Sequence, residues 1–371
     1  MSTAPDAIVV GGGAIGLSIA WRTARMGASV TVIDPNRADA ASSVAAGMLA
    51  PVTEVHYGEE PLLQLNLRSA KMYPRWIAEL EQEAGTEAGY NPCGTISVAR
   101  DADDRAALDH LLEFQRSLGL EVERLSATQV KDLEPACTSR GGVLVQADHQ
   151  IDPIRLTEAL RKACDAVGVR RIEAVVEEVT IDDGAVTNVV LDDGESVGTS
   201  TVVVAAGAAA SEIKGLPDGL FPVRPVKGQI VELSPGPEPC PITRNVRGLD
   251  VYLVPRPDGR LLIGATMEER GWDPSPTAGA VHDLLRYAYE LVPGITEMTF
   301  TGVRVGFRPG TPDNAPILGA TPIAGLIAAT GHFRNGILLA PVTADAIADL
   351  IVRDELWPAI EAFSADRFGS R

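Results

Sequence analysis

Ala7-Ile8-Val9-Val10-Gly11-Gly12-Gly13-Ala14-Ile15-Gly16 is the stretch that decides the fold. Four apolar residues read as a buried strand, and the glycines that follow read as a tight turn. Leu17 to Met26 continues as a helix ended by Gly27, and Ser29 to Ile33 returns as a second strand closed by Asp34. Together they form a β-α-β unit of about 30 residues. The spacing has a mechanism. Gly11 permits the turn, Gly13 lets backbone approach a pyrophosphate, and Gly16 lets helix and strand pack closely. Asp34, about 20 residues on, can accept from a ribose 2′-hydroxyl. An acid at that place disfavours a 2′-phosphate, which makes NADP the weakest dinucleotide candidate.

Beyond Asp34 the chain departs from a nicotinamide domain. Ser42-Ser43-Val44-Ala45-Ala46-Gly47-Met48 is a run of small residues suited to backbone contact with a flat ligand. Helical stretches are predicted over 61–83, 103–118, 152–167 and 280–291, with strands at 94–98, 142–146, 229–233, 251–255, 261–265 and 299–307. Ile172 to Val204 reads as three short strands with turns at Asp182-Asp183-Gly184 and Asp192-Asp193-Gly194. Val10-Gly11, Ala206-Gly207 and Thr330-Gly331 share one design, a buried parallel-type strand ending in glycine at a tight turn. They lie far apart in sequence. A dinucleotide domain with a second domain spliced into it accounts for that separation.

Composition sets the boundaries. A chain of 371 residues calls for two or three domains. The net charge of −18 opposes nucleic acid and anionic membrane as partners, so a small anionic substrate needs local positive charge inside the protein. Cys93, Cys137, Cys164 and Cys240 form no C-x-x-C pair, and the five histidines lack metal-ligand spacing. Free thiols in a reducing cytosol and no metal are expected. The apolar run Ile8 to Trp21 has no basic residue before it and is too short and glycine-rich to span a bilayer, so a cytoplasmic protein is expected.

In order along the chain, GGGAIG (11–16), SSVAAGML (42–49), VYLVPRPDGRLLIGATME (251–268), GFRPGTPDNAPILG (306–319) and GHFRNGILLAP (331–341) resemble the glycine oxidases. These belong to the D-amino-acid oxidase and sarcosine oxidase group of FAD enzymes and serve thiamine thiazole biosynthesis. The resemblance implies an α/β protein, α+β overall: a Rossmann-like FAD-binding domain with an inserted, mainly antiparallel β-sheet substrate domain. The expected FAD-binding parts are 1–85, 142–219 and 305–371, and the substrate-domain parts are 86–141 and 220–304.

The resemblance also implies roles. FAD would be held by Gly11, Gly13, Ala14, Ile15 and Gly16, with Asp34 and the adjoining Pro35 at the ribose. Ser42, Ala46, Gly47 and Met48 would approach the flavin, Val176 the adenine, and Gly207 would close the second strand-to-turn junction. The segment His332, Phe333, Arg334, Asn335, Gly336, Ile337 and Leu338 would contact the flavin. Its helix would start between Gly336 and Pro341, because proline fits only the first turn, and its N-terminus would face the flavin pyrimidine. Arg308 would hold the substrate carboxylate, supported by Tyr252 on the facing strand. Met267 would line the pocket, and Arg334 is a second arginine on either the substrate or the flavin side.

Arg304 shares a strand face with Arg308 and reads as a residue of the pocket mouth or a solvated edge. Lys227, in PVKGQ, reads as a solvent-facing lysine at a strand start, with a cation that assists oxygen as the alternative. Relatives with covalent flavin use a cysteine in the C-terminal segment. All four cysteines here precede Gly310, so noncovalent FAD is expected. The implied chemistry is hydride transfer from Cα of glycine to flavin N5, giving an imine, then glyoxylate, ammonia and hydrogen peroxide. The implied partners are a small amino acid, O2, further copies of the chain in a homo-oligomer, and thiazole synthase as a functional link. A sarcosine or D-amino-acid oxidase, a flavin dehydrogenase and a nonenzymatic NAD-binding module are the alternatives.

Overall fold

Strand Ala7–Val10 is buried at all four positions, and this places it in the middle of a sheet rather than at an edge. A computed structural model describes residues 4–368. Among them a six-stranded sheet runs in the order Ile317–Ala320, Leu326–Thr330, Val202–Val204, Ala7–Val10, Val30–Ile33, Arg170–Ile172. All neighbours pair in parallel except the first two. The three strands that end near glycine in the sequence are therefore adjacent. Val10, Val204 and Ala328 stand in one cross-sheet register, so Gly11, Gly207 and Gly331 emerge at one edge. Gly11 has φ +111°, where a Cβ would be strained, and its N–H bonds the Ile33 carbonyl at 2.8 Å.

Helices cover one face of this sheet. Ala14–Arg25, Glu60–Ala84, Pro153–Ala166 and Gly336–Arg353 share a core with it. Trp21 meets Trp76 edge-on at 5.4 Å, locking the first helix to the long one, a contact worth about 1 kcal/mol beyond its burial. The other face carries a three-stranded antiparallel meander, Val176–Asp182, Ala185–Leu191 and Ser196–Gly198. The region read as three short strands thus holds five, because Arg170–Ile172 and Val202–Val204 leave the meander to join the main sheet.

A second sheet of eight strands is antiparallel apart from one pair. Its order is Thr299–Gly310, Arg224–Ser234, Leu261–Gly264, Tyr252–Pro255, Asn245–Arg247, Thr95–Val98, Gly142–Val145, Glu123–Leu125. Gly142–Val145 and the whole of Thr299–Gly310 belong to this second sheet.

The C-terminal helix starts at Gly336 and runs straight through Pro341, which lies past its first turn. The expectation that proline marks the first turn fails here for a specific reason. Pro341 cannot donate to the Ile337 carbonyl. The buried Tyr73 hydroxyl on the long helix donates to that carbonyl instead. One turn earlier on the long helix, Ser69 Oγ donates to the next carbonyl, that of Leu338, at 2.6 Å and accepts from the Val342 N–H at 3.4 Å. The long helix therefore fixes the helix whose N-terminus opens toward the strand ends.

Candidate active site

A cavity of about 690 Å³ runs from the glycine-rich edge of the six-stranded sheet to the face of the eight-stranded one. Its near end is built by the first β-α-β unit. Gly11, Gly13, Ala14, Ile15, Asp34, Pro35 and Ser42 line it. Asp34 is held by two backbone donors, Gly12 N–H at 2.6 Å and Asn36 N–H at 2.7 Å, and its remaining lone pairs can accept a further donor. Ser42 Oγ accepts from Ala14 N–H at 2.9 Å, so its own hydrogen can donate to an anion at the helix start. Val176 and Gly207 also line this half. Gly16 does not reach the cavity. It packs beneath it against Gly11 and Val9, which is the close helix-to-strand approach its spacing implied.

The middle of the cavity is walled by Ala46, Gly47 and Met48 on one side and by His332, Phe333, Arg334, Asn335, Gly336 and Ile337 on the other. Leu338 lies outside the lining, buried against the long helix. Asn335 precedes the C-terminal helix without a side-chain cap, and Gly13 precedes the first helix likewise. Two helix N-termini whose N-cap residues make no side-chain cap thus line one cavity, one in the half built by the first β-α-β unit and one in its middle, an arrangement that suits a ligand with separated anionic groups. His332 is turned away from the cavity. Its Nε2 lies 3.1 Å from Thr343 Oγ1, and burial pushes its pKa down to about 3, so the ring is neutral.

The small-residue loop has an anchor that no sequence motif disclosed. Arg256 is buried and donates to the Ala46 carbonyl at 2.6 Å, the Ile151 carbonyl at 3.1 Å and Gln150 Oε1 at 2.7 Å. It belongs to the Y-x-V-P-R run that supplies Tyr252, so one strand presents a residue to the cavity and pins the loop opposite.

At the far end stand Tyr252, Arg308, Met267 and Arg334. Arg308 donates to the Thr266 carbonyl at 3.0 Å and, more weakly, to the Lys227 carbonyl at 3.5 Å. Burial pulls its pKa down, Tyr252 opposes that, and Arg334 adds repulsion. Tyr252 is pushed up by burial, more than the facing arginines pull it down, and remains a neutral donor. Two glycines make room for this pair. A Cβ on Gly228 would lie 2.7 Å from Arg308 Cζ, and one on Gly264 would lie 2.5 Å from the Tyr252 ring. Met267 is 66% exposed and stands at the rim rather than in the depth.

Arg334 faces the far wall, 3.4 Å from Glu54, 3.8 Å from Glu59 and 2.7 Å from His56 Nε2. Arg247, absent from the sequence-derived set, also lines this end and ion-pairs with Glu54. A signal for it was available. Gly248-Leu249-Asp250-Val251 is a four-residue hairpin loop, which pairs Arg247 with Tyr252. Arg304 does not line the cavity. It is partly buried and pairs with Glu232, so it stands neither at the pocket mouth nor on a fully solvated edge. Lys227 is a correction. It is fully buried rather than solvent-facing, and its Nζ binds Asp273 at 3.0 Å and the Ser275 carbonyl at 2.5 Å. It sits on the strand face opposite Gly228 and pins the loop that carries Met267 and Trp272.

Fold and cavity define a dinucleotide-binding oxidoreductase with a separate substrate sheet. The chain belongs to the FAD dependent oxidoreductase family, which it matches over residues 6–350. It is 40% identical to the bifunctional protein ThiO/ThiG of a Synechocystis species over 99% of this chain, and spans about half of that relative, 55% of its length. It is 32% identical to the glycine oxidase of Geobacillus kaustophilus, covering 98% of this chain and 97% of the relative. The crystal structure of that organism's glycine oxidase superposes with a TM-score of 0.90 over 98% of both chains. An iminodiacetate oxidase from a Chelativorans species superposes with a TM-score of 0.88 at 28% identity, over 96% of this chain and 98% of that one.

The residues present fit FAD. The acid at Asp34, the backbone cradle at Gly11–Ala14, the glycine-bearing loop at Ala46–Met48 and two open helix N-termini lie along one cavity. Among the described residues no helix is long and apolar enough to cross a membrane, and no cluster of His, Cys, Asp and Glu could hold a metal ion.

Proposed function

We propose that this chain oxidises a small α-amino acid, glycine first, at the far end of the cavity. One observation carries the reading. Arg308 is a half-buried guanidinium facing the cavity whose protein acceptors are backbone carbonyls, in a chain of net charge −18. A cation held this way, beside a neutral tyrosine hydroxyl, is set to take a carboxylate from outside. FAD, when bound, supplies the two-electron acceptor that converts an amine to an imine and is reoxidised by dioxygen.

The chain's own residues orient the substrate. Arg308 takes the carboxylate in a planar fork and Tyr252 donates a further hydrogen bond, which fixes Cα relative to the loop Ala46–Met48. The loop's anchor, Arg256, keeps that distance constant. Of the titratable groups near the far end, Glu54 is paired with Arg247 and Arg334, His56 lies behind Arg334 with its pKa pulled down by burial, and Tyr252 is held protonated. No general base stands beside the Arg308 fork, which suits a substrate that enters with a neutral amine.

The glycine oxidase and ThiO/ThiG relatives support glycine as substrate and a role in forming the thiamine thiazole, with peroxide, glyoxylate and ammonia as products when the imine is not captured. The iminodiacetate oxidase neighbour suggests a second reading, a substrate with two carboxylates. That substrate needs a second free cation, and Arg247 and Arg334 are both paired with Glu54. A peroxide assay across glycine, sarcosine, D-alanine, D-proline and iminodiacetate separates these readings. The proposal fails if glycine yields no peroxide while D-proline does.

A further inference from the structure

The far wall of the cavity contains a carboxylate where a solvent-lined pocket would ordinarily leave room for substrate. Glu54 follows the small-residue loop, and its side chain sits between two arginines. Arg247 pairs with one oxygen and Arg334 lies 3.4 Å from the other. All three residues line the same cavity as Arg308 and Tyr252. Burial, and then the neighbouring Arg334, push Arg247 down to about 10, so it still carries charge at neutral pH and needs an anion beside it.

Charge accounting at this end is simple. Arg247, Arg308 and Arg334 face Glu54 and Glu59, and His56 is neutral because burial and Arg334 lower its pKa. Two of the three cations are matched, and the unmatched one is Arg308. The far end therefore takes one carboxylate.

We propose that Glu54 determines substrate specificity by occupying the position of a substrate's second carboxylate, restricting the site to amines that carry a single carboxylate. The proposal rests on the amino-acid oxidase reading above. Its physical content is that Arg247 and Arg334 form a ready-made second anion site, closed from within by Glu54. Neutralising Glu54 without shortening it opens that site, leaving Arg247 without an anion and Arg334 with only Glu59, at 3.8 Å. A purely structural strut between the loop and the sheet would behave differently. Its loss would lower stability and leave the choice between mono- and dicarboxylates unchanged.

The test uses the FAD-loaded protein and binding rather than turnover as the first readout. Acetate and glutarate (iminodiacetate with a methylene in place of the amine) are titrated by calorimetry into wild type, Glu54→Asp, Glu54→Gln and the double variant Glu54→Gln/Arg247→Gln. Wild type and Glu54→Asp are expected to prefer acetate. Glu54→Gln is expected to move the glutarate-to-acetate affinity ratio toward glutarate on the order of 10-fold to 100-fold, the worth of a new charge-assisted contact. The double variant is expected to lose most of that gain. The ratio of kcat/KM for iminodiacetate over glycine should move in step.

A ratio that stays within about twofold in Glu54→Gln overturns the proposal. If that variant does not fold, wild type still decides, because wild type binding glutarate as tightly as acetate overturns it without any substitution. Wild type that binds neither acid overturns the amino-acid oxidase reading and this proposal with it. Acetate binding with an unmoved ratio overturns only the role of Glu54.

Discussion

Replacing Tyr73 with phenylalanine tests whether the helix behind the candidate flavin site is held by a hydroxyl in place of a backbone donor. Pro341 leaves the Ile337 carbonyl without its i+4 N–H, and the Tyr73 hydroxyl is the donor that reaches it. Tyr73 is 1% exposed, so no water replaces the lost donor. Tyr73→Phe leaves a buried carbonyl unsatisfied, and the expected cost is about 1–3 kcal/mol. Pro341→Ala restores an N–H at position 341, which can take the same carbonyl. In that background Tyr73→Phe should cost about 1 kcal/mol less, because the carbonyl keeps a donor. Urea unfolding of the four proteins of the cycle measures the coupling. Equal costs of Tyr73→Phe in both backgrounds would refute the idea that the hydroxyl compensates for the proline.

Other outcomes follow from the site. Gly228→Ala puts a methyl where the Arg308 guanidinium lies, and that flexible side chain can move; KM for glycine should rise about 10-fold or more with the fold and flavin content retained, as read by steady-state kinetics and absorbance. Arg256→Met removes the donor to the Ala46 carbonyl from a buried site; a stability loss of about 3–5 kcal/mol and faster flavin loss on dilution are expected, and unchanged flavin retention would contradict the anchor role. His332 has an unfolded pKa of 6.5 and a folded pKa pushed down to about 3, so the unfolded state binds the extra proton and stability falls as pH drops below 6.5. Between pH 6.5 and 5 this amounts to about 2 kcal/mol. His332→Gln should flatten that slope in urea unfolding, and an unaltered slope would show that the ring does not titrate this way.

Much of the fold was legible because its signals are local. GGGAIG, the acid at Asp34 and the three strand-to-glycine junctions each report their own backbone, and their convergence follows once the strands are taken as parallel neighbours. Arg308 and Tyr252 were reached through motif resemblance, and both line the cavity. What stayed hidden depends on pairing between strands distant in sequence. Nothing near Gly228 or Gly264 says that an arginine and a tyrosine lie across them. Lys227 looks like any strand-start lysine until Asp273 and Ser275 fold over it. Pro341 reads as a helix boundary unless Tyr73, far upstream, is known to replace its N–H. Arg256 sits in a recognised motif, but its partners Ala46 and Ile151 come from other segments. Glu54 and Arg247 were missed for the same reason, although the short hairpin loop before Tyr252 could have exposed Arg247.

The most direct test of the central claim is the affinity of the flavin-loaded protein for glycine, read by peroxide formation, in wild type and Arg308→Ala. The account predicts peroxide from glycine in wild type and a rise in KM of about 30-fold or more in the variant, with FAD still bound. Unchanged glycine affinity in Arg308→Ala would contradict it.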